Sequence, residues 1–271
     1  MRTSLLLAVG MLALIRAAAA TPTVDVTACG QTVPDATIGL LTVDLDCGGS
    51  SAGVILGRRS TLQMNGHVIA NTTIGVQCGA TRCTVVGPGE IYDATQVAVG
   101  TPGVASKFKI VVSSLDVHDC AAGIVDGQAS RITATDVTVV RMSGYGLYAE
   151  SYPFGRAGMR LLRVTSSDNG QVGIQATGGI RATEVTAERN GNAGIAGLTV
   201  VGRNVVAKDN GGGGIESKGA RLADSTITGN DGAGAGFDLL TFIRPRLTNT
   251  TCGLSGSSVP PMTHWGVCSS D

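Results

Sequence analysis

The chain has 271 residues, with 20 Lys+Arg against 20 Asp+Glu, 40 Gly, eight Pro and 43% hydrophobic side chains. The charge balance lacks the basic excess that nucleic-acid binding needs, and so little Pro excludes collagen. The apolar content is enough to bury a core, which excludes general disorder, and the Gly excess with few aromatics implies tight turns around small aliphatic side chains.

Residues 1–20 read as a secretory signal. Arg2 opens it, an apolar run extends from Ser4 to Ile15, and Ala18-Ala19-Ala20 offers small residues for cleavage. The run is shorter than the roughly 20 apolar residues that a membrane-spanning helix needs. Cleavage after Ala20 removes Arg2 and Arg16 and leaves 18 basic against 20 acidic side chains. Residues 21–271 are therefore expected as one secreted domain, extracellular or in the cell envelope, with no membrane span.

Export suits the seven cysteines. Six fall into neighbouring pairs by position, Cys29 with Cys47, Cys78 with Cys83 and Cys252 with Cys268. Proximity is only a guide, because six thiols admit many connectivities. Such pairs would staple both ends of the domain and one tight loop. Cys120 is left over and reads as a small buried hydrophobe. No CxxC occurs and only three His are present, so a metal site has no support.

Further along, Leu115-Asp116-Val117-His118-Asp119 alternates as a strand does, pointing Leu115 and Val117 inward and Asp116 and His118 outward. Two positions along a strand separate side chains by about 7 Å. Histidine titrates near neutrality and a neighbouring carboxylate orients it, so His118, Asp116 and Asp119 are candidates for proton transfer. The segment from Tyr148 to Arg156 then lengthens one repeat, and its Pro153 and Gly155 interrupt any central strand. A protruding loop is expected there. Tyr148 and Tyr152 offer faces for sugars, while Arg156 and Arg141 offer guanidinium groups to a uronate carboxylate.

The rest of the chain repeats. VTSSDNGQVGI (164–174), VTAERNGNAGI (185–195) and VVAKDNGGGGI (205–215) align, and Asn169, Asn190, Asn210 and Asn230 recur at spacings of 21, 20 and 20. Each unit reads strand, turn, strand, turn, with no room for a helix. A single-stranded, right-handed parallel β-helix of about eight coils, each of roughly 20–23 residues, fits this period. The repeated Asn is expected in the left-handed turn conformation, with its amide bonded to the coils on either side. Val164, Ile174, Val185, Ile195, Val205 and Ile215 should lie in the core, with caps near residues 21–60 and 240–271. In this register His118 shares a column with Val140, Ser167, Glu188 and Lys208. Asp119 shares the next with Arg141, Asp168, Arg189 and Asp209, whose alternating signs suit a ladder of exposed ion pairs.

Ser60-Thr61-Leu62-Gln63-Met64-Asn65-Gly66-His67-Val68-Ile69, Val85-Val86-Gly87-Pro88-Gly89-Glu90-Ile91 and Trp265-Gly266-Val267-Cys268 resemble segments of secreted bacterial right-handed parallel β-helix proteins of the pectate-lyase-like superfamily. The resemblance spans roughly residues 25–271 and implies fold more than activity. Asp116-Val117-His118-Asp119 also resembles the Asp-Pro-His-Asp motif of mannuronan C5-epimerases, in which the His and an Asp take part in proton transfers; Val117 stands here where that motif has Pro. Two functions follow as expectations. The first is a protein that binds, or acts on as an epimerase or lyase, a polysaccharide or cell-surface glycan, acidic in character. The second is a non-catalytic structural or adhesion β-helix. A monomer without a cofactor is expected in either case, calcium being compatible although no calcium motif occurs.

Overall fold

A computed structural model describes residues 20–79, 81–101, 109–127, 131–150, 158–231, 236–258 and 263–270. The expected signal therefore lies outside the described residues, apart from Ala20. Every regular element in the described residues is a β-strand, and every strand-to-strand pairing is parallel to a neighbour in the preceding or following coil. The chain forms the expected β-helix.

Each coil carries three strands rather than the two read from the sequence. A single residue joins the first and second faces. In the coil of Arg131–Val140, Asp136 takes φ +55° between Thr135 and Val137 and turns the strand there without breaking it. The third face follows the Gly-Ile step that ends each aligned repeat, as at Gly173-Ile174 and Gly194-Ile195. On the second face, Leu45, Ile69, Ile91, Val117, Val139, Ser166, Ala187, Ala207, Ile227 and Cys252 stack in register. These ten rungs enclose nine turns, one more than the eight expected.

The extra turn lies in what the sequence suggested as caps. Thr23–Val26 already pairs with Ile38–Leu41, and stacking continues to Ser255–Ser257. The first coils hide their periodicity behind a register shift between Asp46 and Ser50, where Gly48 and Gly49 both have positive φ. The true C-terminal cover is a short tail, with Trp265 donating its indole N–H to the Gly256 carbonyl at 2.7 Å.

Small aliphatic side chains fill the narrow interior between three faces. Val164, Ile174, Val185, Ile195, Val205 and Ile215 are all buried, as expected. Cys29–Cys47, Cys78–Cys83 and Cys252–Cys268 are all disulfide-bonded. Cys120 is free and buried, and burial pushes its thiol pKa up to about 11.

The four recurrent Asn side chains run as a buried ladder behind the second face. Asn169 Nδ2 donates to Asn190 Oδ1 at 2.8 Å, Asn190 to Asn210 at 2.9 Å and Asn210 to Asn230 at 2.8 Å. The chain of amides ends on the buried carboxylate of Asp238, whose second oxygen accepts the Gly253 and Leu254 amides. One expectation is corrected here. The left-handed position is not the Asn but the residue before it, with φ of 57° at Asp168, 51° at Arg189 and 54° at Asp209. That turn lets the following Asn point inward, where its amide replaces water for the buried backbone.

Candidate functional site

The second face ends at His118, and Asp119 turns the chain with φ +54°. Strand alternation buries Leu115 and Val117 and leaves Asp116 exposed, with His118 half-buried beside it. The neighbouring coil places Glu90 opposite Asp116 and Tyr92 opposite His118. His118, Asp116, Asp119 and Arg141 are thus brought together, and Glu90 and Tyr92 join them. The sequence reading missed those two because 26 residues separate Glu90 from Asp116, longer than the regular repeat.

The imidazole is clamped. Its Nε2 lies 2.7 Å from Glu90 Oε1, its Nδ1 lies 2.7 Å from Asp119 Oδ2, and the Tyr92 ring stacks on it at 5.1 Å. Arg141 then closes the chain of contacts with two bonds to Asp119, at 2.8 and 2.7 Å. A neutral imidazole has one lone pair, which would face a carboxylate oxygen here, so the arrangement suits the imidazolium with both nitrogens donating. Partial burial lowers the ring's proton affinity, but Asp119 and Glu90 together outweigh it and raise the pKa above the ordinary value. Arg141, and after it His118, holds the Asp119 carboxyl down to about 2. In this geometry His118 retains a proton and has no free nitrogen with which to abstract one.

The expected ladder continues from there along the corner. Arg189 bonds both oxygens of Asp168 at 2.8 and 2.9 Å and also Glu188, while Lys208 approaches Asp209 at 3.5 Å. A second ladder, not anticipated, occupies the corner between the first and second faces, where Arg163 pairs with Asp136 and Arg203 with Asp224. His67 belongs to neither: it contacts Asp44 at 3.0 Å near the N-terminal end.

A cleft of about 620 Å³ opens beside the clamped histidine, at the corner between the second and third faces. It runs across five coils, from Gly48 through Asn71, Asp93 to Thr95 and Asp119 to Ala121, as far as Ser143. With coils about 4.8 Å apart, that is roughly 19 Å of length. Its walls mix short polar groups with Ala and Gly, and its one cation, Arg141, is already neutralised by Asp119.

Tyr148 lies elsewhere. It is on the third-face strand Leu147–Ala149, stacked on Tyr145 at 4.7 Å, and burial followed by Glu150 raises its phenol pKa. Tyr152 and Arg156 fall outside the described residues. Among the described residues no group of three His, Cys, Asp or Glu side chains converges on a point that would hold a metal ion.

No curated protein matches the sequence. Two solved structures from Azotobacter vinelandii align with it at 11% identity. The A-module of mannuronan C-5 epimerase AlgE6 has a TM-score of 0.34, the alignment covering 86% of this chain and 91% of that one. The A-module of mannuronan C-5 epimerase AlgE4 has a TM-score of 0.35, with 85% and 91% covered. Residues 103–241, just over half of the chain, match the family described as right handed beta helix region, and the chain belongs to that family.

Proposed function

We propose that this β-helix is an extracellular polysaccharide-binding protein whose ligand lies in the corner cleft beside His118. The supporting observation is the cleft itself, an elongated trough of about 620 Å³ whose polar lining groups recur coil by coil. A linear glycan has the matching form, a repeating unit with hydroxyls along its length. Asn71, Thr95 and Ser143 suit hydroxyl recognition, and Ala121 suits the apolar face of a sugar ring. Because Asp93 and Asp119 line the trough and Arg141 is paired, the reading favours a neutral glycan in this cleft over a uronate. Three disulfides agree with an oxidising, extracellular setting.

Catalysis by His118 is not part of the proposal, since proton abstraction requires one of its two carboxylate bonds to open. The clamp instead stiffens the cleft wall that Asp119 and Arg141 form. The test is calorimetric titration of the full chain with neutral oligosaccharides, alongside Thr95→Trp, which fills the trough from an exposed position. Wild-type binding that the Trp variant weakens at least tenfold supports the reading; equal binding by both overturns it.

The alternative is a purely structural or adhesion β-helix. The alternating ladder from Asp119 to Arg189 favours it, because its charges pair with one another without a ligand. Absence of binding to every glycan tested would favour this second reading.

A further inference from the structure

The first face departs from the charge pattern of the rest of the molecule. Its central outward column reads Thr133, Arg160, Arg181, Val201, Arg221 and Arg246 in successive coils. Arg160 stacks on Arg181, and Arg221 on Arg246, with the coils about 4.8 Å apart. Like charges placed directly opposite on neighbouring strands repel. Both corner ladders of the same chain avoid this by alternating Arg with Asp.

No carboxylate relieves the stacked arginines. Thr135, Leu162, Thr183, Arg203, Ala223 and Thr248 form the adjacent outward column. Lys109 and Arg131 begin the column on the other side, which later carries Gly179, Thr199 and Gly219. None of these residues is acidic. At the flanking corner Asp136 and Asp224 are taken by Arg163 and Arg203, and Glu184, which follows Thr183, acts on Arg163 and makes no ion pair with the stacked arginines. Among the described residues Arg160, Arg181, Arg221 and Arg246 make no ion pair, and all four are exposed. A chain of zero net charge has thus gathered unpaired cations on one face.

Glycine shapes that face into a trough. A cleft of about 550 Å³ has Arg131, Arg160 and Arg181 beside Gly158 and Gly179, and another of about 360 Å³ has Arg221, Arg244 and Arg246 beside Gly219. Exposed Leu198, Val201 and Ile243 interrupt the cations with apolar surface.

We infer that the first face is a second binding surface, separate from the corner cleft, that takes a linear anionic polysaccharide lying along the helix axis. Guanidinium groups grip carboxylate or sulfate oxygens through paired N–H donors. The aliphatic side chains between them meet the less polar faces of the rings. Neither trough has an aromatic side chain in its lining, whereas single-stranded nucleic acid is held by stacking on such rings.

The probe is polygalacturonate, immobilised, with the full chain applied at low ionic strength. The chain is expected to bind and to elute as salt screens the contacts. Arg160→Gln/Arg181→Gln is expected to weaken binding at least tenfold, and Arg221→Gln/Arg246→Gln repeats the test at the second pair should the first variant misfold. Arg189→Gln, which removes a cation from the corner ladder instead, is expected to leave binding within twofold. Any retention by neutral dextran belongs to the corner cleft and should be unchanged by either double variant and by salt. Wild-type affinity for polygalacturonate in a folded double variant, polygalacturonate retention that salt does not weaken, or tighter binding of single-stranded DNA at the same salt each overturns the inference. The two surfaces lie on different sides of the coil, so failure here leaves the corner-cleft reading to its own test.

Discussion

His118 Nε2 and Glu90 Oε1 lie 2.7 Å apart across neighbouring coils, so the histidine is tied to a residue 28 positions away as firmly as to adjacent Asp119. That pairing sets the sign of its pH behaviour. The raised folded-state pKa means that the imidazolium contributes stability that is complete below the ordinary value of about 6.5 and is lost as pH rises through the folded value. Asp119, held down to about 2, contributes stability that is complete above its ordinary value of about 4 and is lost as pH falls towards 2. Between about pH 4 and 6.5 both contributions are intact. Solvent screening keeps each below about 1 kcal/mol. Thermal melts from pH 4 to 9 should show an alkaline decline in the wild type that flattens in His118→Ala; an unchanged decline in the variant contradicts the clamp.

Proton NMR of the His118 ring gives the microscopic version. Its titration midpoint should lie above that of an unperturbed histidine, and both Glu90→Gln and Asp119→Asn should lower it. If neither substitution moves the midpoint, the two contacts do not hold the proton.

The Asn ladder should matter far more to stability than the exposed ion pairs. Asn190→Ala removes the acceptor of two Asn169 groups and the donor to Asn210, all buried. Each buried polar group left unpaired costs about 1–3 kcal/mol, so a total loss of about 3 kcal/mol or more is expected. Arg189→Ala, which breaks only exposed pairs, should cost far less than Asn190→Ala. Urea unfolding of the two variants side by side checks the order, and a larger loss in Arg189→Ala would refute it.

The glycine of the Gly-Ile step follows from the same ladder. A Cβ added at Gly194 would lie 2.7 Å from Asn210 Nδ2 and 2.8 Å from the Gly214 carbonyl oxygen, so close approach and not a positive φ excludes a side chain. Gly194→Ala should therefore destabilise by about 1–3 kcal/mol through overpacking, again read by urea unfolding. A neutral effect would mean that the neighbouring coils yield freely.

Cys120 offers a simple check of the thiol assignment. Burial and a pKa of about 11 should make it inert to alkylation at pH 8 in the folded chain, with one label per chain after unfolding without reductant. Rapid labelling of the folded protein, or more than one label, would contradict the described pairing.

Much of this organisation was legible in the sequence. Local repetition exposed the columns of His118 and Asp119, and side-chain alternation placed Val117 inside and Asp116 outside. What escaped depends on single residues or on irregular coils. Asp136 bends a strand by taking φ +55°, which no periodicity reveals. Glu90 and Tyr92 escaped because their coil is longer than its neighbours, which shifts them out of the visible frame. The unpaired arginines of the first face lie in segments such as Ile180-Arg181-Ala182, where a lone cation between small residues looks unremarkable until the coils are stacked.

The most direct test of the polysaccharide reading is amide chemical-shift mapping by NMR, with a neutral oligosaccharide titrated into the full chain. The account predicts that the shifts concentrate on Asn71, Thr95, Ala121 and Ser143 across successive coils, and that Thr95→Trp suppresses them. Shifts confined to other faces, or none with any neutral oligosaccharide at millimolar concentration, would contradict it.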